Sequence, residues 1–176
     1  QRDSFKGTAL ILCGLGGLQF APQAMGEELL QDGWVVCYVY TVLDTPTIGT
    51  NIEFDGTSDG LIKLFDEKYC QVVTACQAIL SSSRIQTLRL STMPKVLIGF
   101  SAGALNTPAV YHELQRDIDC VVLIAGGANM LDIVQQGAVT NWDFKSDGKF
   151  LSAASLQKLE TEFLNTPSRD PYHLAQ

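Results

Sequence analysis

Four short runs of apolar residues dominate this sequence, and helix-length segments separate them. They read TALILC at 8–13, a Val-, Tyr- and Trp-rich run at 34–42, KVLIGF at 95–100 and CVVLIA at 120–125. Runs without polar alternation are typical of strands that are buried on both faces. Because such strands need helices over both faces and right-handed crossovers, the sequence predicts an α/β fold. We expect a mostly parallel sheet flanked by helices in three α/β/α layers.

The stretches between the apolar runs predict the helices. Apolar residues recur at spacings of three and four over 61–80, which indicates a long amphipathic helix. Shorter helices are expected over 22–31, 102–114 and 152–165. The polar, glycine-rich stretch 44–60 is predicted to be a loop. The pattern of elements describes a single domain over the whole chain.

Composition narrows the class of partner. Of the 176 residues, 46% are apolar and 18% are charged, which is a globular balance. The formal net charge of -7 argues against non-specific binding to nucleic acid or to anionic lipid. No apolar run approaches the roughly 20 residues that a membrane-spanning helix needs. These features predict no nucleic-acid partner and no membrane span, and they leave the substrate and the oligomeric state open.

The cysteines predict neither a metal site nor a disulfide framework. Their number is odd and no two form a CxxC pair. Cys13, Cys37 and Cys120 lie within or beside the apolar runs, so we expect them to be small, buried, reduced side chains. Reduced cysteines favour a reducing compartment, the cytoplasm.

The most specific motif in the chain surrounds Ser101. The segment GFSAG at 99–103 fits G-x-S-x-G, directly follows a predicted strand and opens a predicted helix. A turn this sharp requires small neighbours, and Gly99, Gly103 and Ala104 meet that requirement. It would lift the hydroxyl of Ser101 above the sheet edge, at a helix N-terminus, as a nucleophile needs. The alternative is that Ser101 only caps the helix.

A second glycine-rich turn, GLGG at 14–17, follows the first predicted strand. The dinucleotide-binding fingerprint G-x-G-x-x-G fails here, because its third glycine position is Gln19. An oxyanion hole is the other functional interpretation, with backbone N–H groups of Leu15 and Ala102 pointing at the developing negative oxygen. A plain tight turn remains a third interpretation.

At the motifs GLGG and GFSAG, the chain resembles the α/β-hydrolase superfamily, in particular its bacterial esterase- and lipase-like serine hydrolases. The tail segment 170–173, DPYH, also looks like one that precedes the next sheet strand in some of these proteins. The resemblance implies hydrolysis of a carboxylic ester, thioester or amide through an acyl-serine intermediate. It implies no metal and no organic cofactor.

The same resemblance places a catalytic acid and then a histidine after the serine in the chain. Both are expected beyond Gln176, which would make this chain a C-terminally truncated hydrolase that is inactive by itself. His112 lies about three helical turns from Ser101, which is too far for a hydrogen bond. His173 is expected to make a loop or cap contact. Asp132 is a minor candidate for the acid, with a helix-starting carboxylate as the alternative.

The region 128–170 is where the resemblance predicts a lid or cap insertion. Its aromatic residues Trp142, Phe144 and Phe150 would then line an acyl pocket, or they would only pack the insertion onto the sheet.

Three functions follow from these patterns. The first is a serine hydrolase acting on a small ester-like molecule. The second is a non-catalytic binding or scaffold protein that kept the hydrolase fold without a complete triad. The third, a nucleotide-binding domain, is disfavoured by Gln19 and by the motif around Ser101.

Overall fold

The computed structural model of this chain describes residues 5–14, 20–40, 51–127, 131, 133 and 143–174, with the backbone alone at 51–53. The strands are β1 (Gly7–Leu12), β2 (Trp34–Val39), β3 (Asn51–Glu53), β4 (Lys95–Phe100), β5 (Cys120–Ile124), β6 (Asp143–Ser146) and β7 (Lys149–Phe150). The main helices are α1 (Phe20–Gln31), α2 (Ser58–Leu80), α3 (Ser83–Thr87), α4 (Ala102–Leu114), α5 (Ala153–Asn165) and α6 (Pro171–Leu174).

The four long strands form one sheet in the order β2-β1-β4-β5, and every neighbouring pair is parallel. The predicted parallel sheet is therefore confirmed. Parallel pairing brings all four carboxyl ends to the same side, which we call the carboxyl edge, and all four starts to the opposite amino edge. Sites in such sheets lie at the carboxyl edge, so this is where the candidate residues should meet.

Helices cover both faces of this sheet, as the buried runs predicted. On one face, Met25 and Leu29 of α1 pack on Ile11 and Ile98. On the other face, side chains of α2 and α4 pack on strand residues that point the opposite way, among them Leu10, Leu12 and Leu97. The strands read as continuous apolar runs because alternate residues face two different helical layers.

Helix α2 starts earlier than its apolar periodicity indicated. The Thr57 hydroxyl accepts a hydrogen bond from Gly60 N at 3.0 Å and so caps the helix N-terminus. The loop predicted over 44–60 is thus wrong at 51–53 and 58–60, while 41–50 lie outside the described residues. Even α2, with 23 residues, is not apolar enough to cross a membrane, and the same holds for the other described helices.

A second, smaller sheet was not predicted. It has the order β3-β6-β7, in which β3 pairs parallel with β6 and β6 pairs antiparallel with β7. Asp147 and Gly148, both with positive φ, close the hairpin between β6 and β7. Phe144 is buried there and meets the Phe54 ring edge-on, whereas Phe150 is exposed beneath the ammonium group of Lys145. The described part of the region 128–170 contains this hairpin and α5, and its role as a lid stays a prediction. Trp142 lies outside the described residues.

Strand β5 lies at the side of the sheet and has a paired neighbour only in β4 among the described residues. Three of its five residues are exposed, with Leu123 55% exposed, while Val121 and Ile124 pack against the core. Cys120 is exposed for the same reason, so the expectation that it is buried is wrong. Cys13 is buried as expected, and Cys37 is partly buried.

Candidate active site

Ser101 sits at a sharp backbone turn of the carboxyl edge. It directly follows β4, precedes α4 and has φ 52° and ψ -120°, a conformation that L-residues rarely adopt. Although Ser101 occupies the N-cap position of α4, its side chain makes no capping hydrogen bond, and the residue is exposed. The geometry therefore gives no support to a purely capping serine, and it leaves the hydroxyl open above the sheet.

Backbone hydrogen bonds hold this strained turn in place. Ser101 N donates to the carbonyl of Ile124 at the end of β5, at 2.9 Å. The Ser101 carbonyl accepts from Ala104 N at 2.9 Å and from Leu105 N at 3.3 Å, which starts α4. Strain of this kind persists only where the surroundings fix the conformation, and here two elements do so.

The small residues around Ser101 are required by close backbone approach. A Cβ atom on Gly99 would overlap Thr107 Oγ1 and approach the Cα of Ala104. A Cβ atom on Gly103 would overlap the carbonyl of Leu12, because α4 starts directly against the end of β1. The glycines of the G-x-S-x-G motif thus let the strand, the turn and the helix fit into one tight corner.

Gly14, the first residue of the glycine turn after β1, lies beside Ser101, and the rest of that turn lies outside the described residues. A Cβ atom on Gly14 would stand 3.1 Å from Ser101 Cβ and 3.6 Å from Ser101 Oγ. Ala102 is the first residue of α4, where backbone N–H groups have no acceptor within the helix and the helix dipole favours negative charge. Leu15 lies outside the described residues, so its role as a donor stays a prediction.

The turn after β5 also packs against the corner that holds Ser101, and sequence reasoning missed it as part of the site. Ala125 has φ 53°, and Ala125, Gly126 and Gly127 are all exposed. A Cβ atom on Gly126 would lie 2.8 Å from the Cβ of Ala104 in the first turn of α4. The pair of glycines after an apolar run was the available signal, since it marks a turn at a strand end.

His112 does not approach Ser101. It is exposed on α4, eleven positions along the helix from the serine, which corresponds to about 16 Å at 1.5 Å per residue. Its Nδ1 lies 3.8 Å from Glu113 Oε1. The sequence-based exclusion of His112 as the base agrees with this geometry.

His173 belongs to the far end of α4. Its Nε2 is 3.1 Å from the carbonyl of Phe163, and its ring packs edge-on against that of Phe163. Just before it, Arg169 reaches Glu113 at the C-terminal end of α4, with 3.6 Å between Nε and Oε1. His173 therefore makes a structural contact between α5 and α6, in keeping with the expected cap contact, although it lies in a short helix and not in a loop.

A buried polar pair fixes this C-terminal segment. Asp170 is fully buried, its Oδ1 accepts from Tyr172 N at 2.8 Å, and its Oδ2 lies 3.5 Å from the Tyr69 hydroxyl on α2. Burial raises the pKa of the Tyr69 phenol, and the neighbouring charges of Asp170 and Asp66 raise it further. The phenol thus stays protonated as a donor, and the DPYH segment serves as a structural anchor.

The remaining candidates give no further site residues. Asp132 lies outside the described residues, so its role as an acid stays a prediction. Within the described ranges, His, Cys, Asp and Glu side chains form no group of three that could hold a metal ion. Among the described residues, the candidate site therefore consists of Ser101, Gly14, Ala102 and the turn 125–127. No protein-family model matches the chain, and no curated protein matches it by sequence.

Proposed function

We propose that this protein is a serine hydrolase that cleaves a carboxylic ester, thioester or amide through an acyl intermediate on Ser101. One observation carries the proposal: an exposed serine in a strained turn between strand and helix, with its hydroxyl free of any capping bond. A helix-capping serine has no reason to adopt φ 52°, whereas a nucleophile at an elbow does. Gly14 lies beside Ser101, and its lack of a side chain supports the proposal that a substrate carbonyl approaches the hydroxyl there.

The reaction has two halves. Ser101 Oγ attacks the substrate carbonyl carbon while a base takes the hydroxyl proton, and the carbonyl oxygen becomes an oxyanion. The N–H groups of Ala102 and, as we propose, Leu15 stabilise that oxyanion. Collapse expels the leaving group, which receives the proton, and leaves an acyl-Ser101 ester. Water then attacks this ester by the same route, releasing the acid and restoring the serine.

The proposed version of the fold is that of the α/β-hydrolases. It is supported by the element order β1-α1-β2, then β4-α4-β5, with the serine after β4 and the glycine turn after β1. Both turns lie at the same carboxyl edge, since β1 and β4 are parallel neighbours. The reaction also requires a general base within hydrogen-bond reach of Ser101 Oγ.

One observation favours a second candidate, a binding protein with this fold but without catalysis. Neither described histidine approaches Ser101, because His112 lies three turns away and His173 bonds to Phe163. Without a base, the serine hydroxyl would remain a weak nucleophile. The elbow would then be an inherited feature of a surface that binds a ligand.

Labelling with a fluorophosphonate separates the two candidates, because this probe reacts only with an activated serine. We expect the natural gene product that contains this chain to be labelled at Ser101, as located by peptide mass spectrometry, and Ser101→Ala to abolish labelling. Ser152→Ala is the matched control, since Ser152 caps α5 through its side chain and should not affect labelling. A folded wild-type protein that resists the probe would favour the binding protein.

A further inference from the structure

The backbone of Ser101 is anchored from two sides, and one of the anchors lies at the end of β5. The N–H group of Ser101 donates to the carbonyl of Ile124 at 2.9 Å, which extends the pairing of β4 with β5 by one residue. That carbonyl belongs to the planar peptide unit that joins Ile124 to Ala125, whose φ is 53°. The position of the turn after β5 therefore helps to fix the strained backbone that carries the Ser101 hydroxyl.

Gly126 brings this turn into close contact with the first turn of α4. A Cβ atom on Gly126 would lie 2.8 Å from the Cβ of Ala104, whereas non-bonded carbon atoms pack at roughly 3.5 to 4.0 Å. Ala104 is 2% exposed, and no side-chain torsion can move its methyl group away. The end of β4 lies equally close to it, because a Cβ atom on Gly99 would stand 2.6 Å from the Ala104 Cα. A residue without a side chain is therefore needed at position 126.

Close contact, and not backbone conformation, makes glycine necessary at this position. The φ of Gly126 lies outside the left-handed region, so its φ does not by itself demand glycine. The next residue, Gly127, also has no left-handed φ, but a Cβ atom there would lie 2.8 Å from Ile133 Cδ1, the flexible end of a side chain that can rotate away. The two glycines thus form a matched pair in which only Gly126 meets a rigid neighbour.

We propose that Gly126 is a positioning residue for the nucleophile. It lets the turn after β5 close on Ala104, and the closed turn holds the Ile124 carbonyl at the place where it binds the Ser101 N–H group. This inference rests on the proposed function and adds to it a residue outside the G-x-S-x-G motif. Gly126 acts through the backbone of Ser101 and not by contact with the substrate.

Gly126→Ala tests this role in the natural gene product that contains this chain. The new methyl group must push the turn away from α4 by about 0.5 to 1 Å, which disturbs the anchor on the Ser101 N–H group. We expect fluorophosphonate labelling of Ser101 and kcat/KM for p-nitrophenyl butyrate each to fall by about 10- to 100-fold. Gly127→Ala is the matched control and should retain the wild-type rates.

Ala104→Gly separates positioning from stability, because it removes the atom with which the new methyl group collides. By itself, Ala104→Gly should lower the urea unfolding midpoint, since glycine within α4 costs backbone entropy, and should leave labelling close to the wild-type rate. The double variant Gly126→Ala/Ala104→Gly should then label within about threefold of Ala104→Gly. Labelling that follows the collision and not the urea midpoint is the signature of positioning.

The outcomes separate this inference from the proposed function. If the wild type is labelled at Ser101 and folded Gly126→Ala is labelled equally fast, or if Gly127→Ala slows as much, the positioning role alone is wrong. A folded double variant that labels far more slowly than Ala104→Gly overturns it too, and this comparison decides even where Gly126→Ala does not fold. A folded wild type that is not labelled at Ser101 would overturn the proposed function together with this inference.

Discussion

At the amino edge of the long sheet, charged side chains are paired: Lys6 bridges to Asp32, and Asp119 accepts a 2.8 Å hydrogen bond from the backbone of Lys95. At the carboxyl edge, the described residues are instead glycines, alanines and Ser101, whose side chain makes no capping hydrogen bond. The ion pair and the hydrogen bond at the amino edge connect the starts of neighbouring strands, whereas small residues surround the serine. The amino edge thus contains contacts that stabilise the fold, and the carboxyl edge contains the residues of the candidate site.

Backbone strain occurs at the turns that follow β4 and β5, and also at Arg89 (φ 56°), which lies six residues before β4. Near the amino edge, the residue with a left-handed φ of 91° is Gly33, which adopts it without steric cost. At the carboxyl edge, Ser101 and Ala125 have φ 52° and 53°, which costs an L-residue on the order of 1 to 3 kcal/mol. At Ser101, this cost is consistent with the proposed role of its hydroxyl as the nucleophile.

Replacing the serine gives the largest expected contrast. Ser101→Gly removes the nucleophile, so ester turnover should fall on the order of 10^6-fold. The same change relieves the strained backbone, so the free energy of unfolding should rise by about 1 kcal/mol. Urea unfolding and ester hydrolysis, measured on one preparation, check both effects.

Ser152→Gly is the matched control for Ser101→Gly, in which turnover should fall while stability rises. Ser152 has φ -70° and caps α5, so its loss should lower stability slightly and leave turnover intact. If Ser101→Gly also destabilised the protein, the inference that the backbone at Ser101 is strained would be wrong.

Glycine-to-alanine changes at the two edges form the second contrast. In Gly14→Ala, the new methyl group would stand 3.1 Å from Ser101 Cβ, so the serine must shift by a few tenths of an ångström. We expect fluorophosphonate labelling to slow by about 10- to 100-fold, because nucleophile geometry is sensitive to such shifts. Gly33→Ala should instead cost about 1 kcal/mol of stability, since alanine is strained at positive φ, and should leave the labelling rate alone.

Equal slowing in both variants would show that labelling merely follows stability. In that case Gly14 would be an ordinary turn residue, and the case for a glycine turn that serves the serine would weaken.

The sequence predicted the long sheet and the turn around Ser101 because both depend on local patterns. A run such as KVLIGF is apolar whichever helix covers it, and G-x-S-x-G between a strand and a helix predicts a sharp, strained turn. The second sheet escaped prediction for the opposite reason. Its parallel pair of strands places Ile52 opposite Phe144, and no local sequence pattern predicts a pairing between residues so far apart in the chain.

Two smaller misses had signals in the sequence. Asp170 followed by Pro171 is a cap residue with proline at the first helical position, which is how α6 begins. Thr57 likewise caps α2 three residues before Gly60, but the glycine and its polar neighbours suggested a loop. The roles of Leu15 and Asp132 fall outside the described residues, so for them the sequence-based predictions stand alone.

A third contrast pairs two alanines next to the site. Ala125→Gly should stabilise the protein by about 0.5 to 1 kcal/mol, because glycine adopts φ 53° freely. Ala104→Gly should destabilise it by about 1 kcal/mol, because Ala104 lies within α4, where glycine costs backbone entropy. The urea unfolding midpoints of both variants test this contrast. A lower midpoint in both variants would argue against backbone strain at Ala125.

The smallest expected effect on stability comes from the exposed ion pair between Lys6 and Asp32 at the amino edge. A hydrogen bond from Lys6, together with its positive charge, lowers the pKa of Asp32 below its ordinary 3.8. A lowered pKa means that the carboxylate stabilises the fold above pH 3.8 and that this contribution is lost as the pH falls through the lowered value. Asp32→Asn should therefore be slightly less stable than the wild type at pH 7, and the difference should fade in acid and in high salt. If the difference in the free energy of unfolding were the same at pH 2, Asp32 would act by packing and not by charge. If Asp32→Asn changed the labelling of Ser101 at neutral pH, the two edges of the sheet would not be independent.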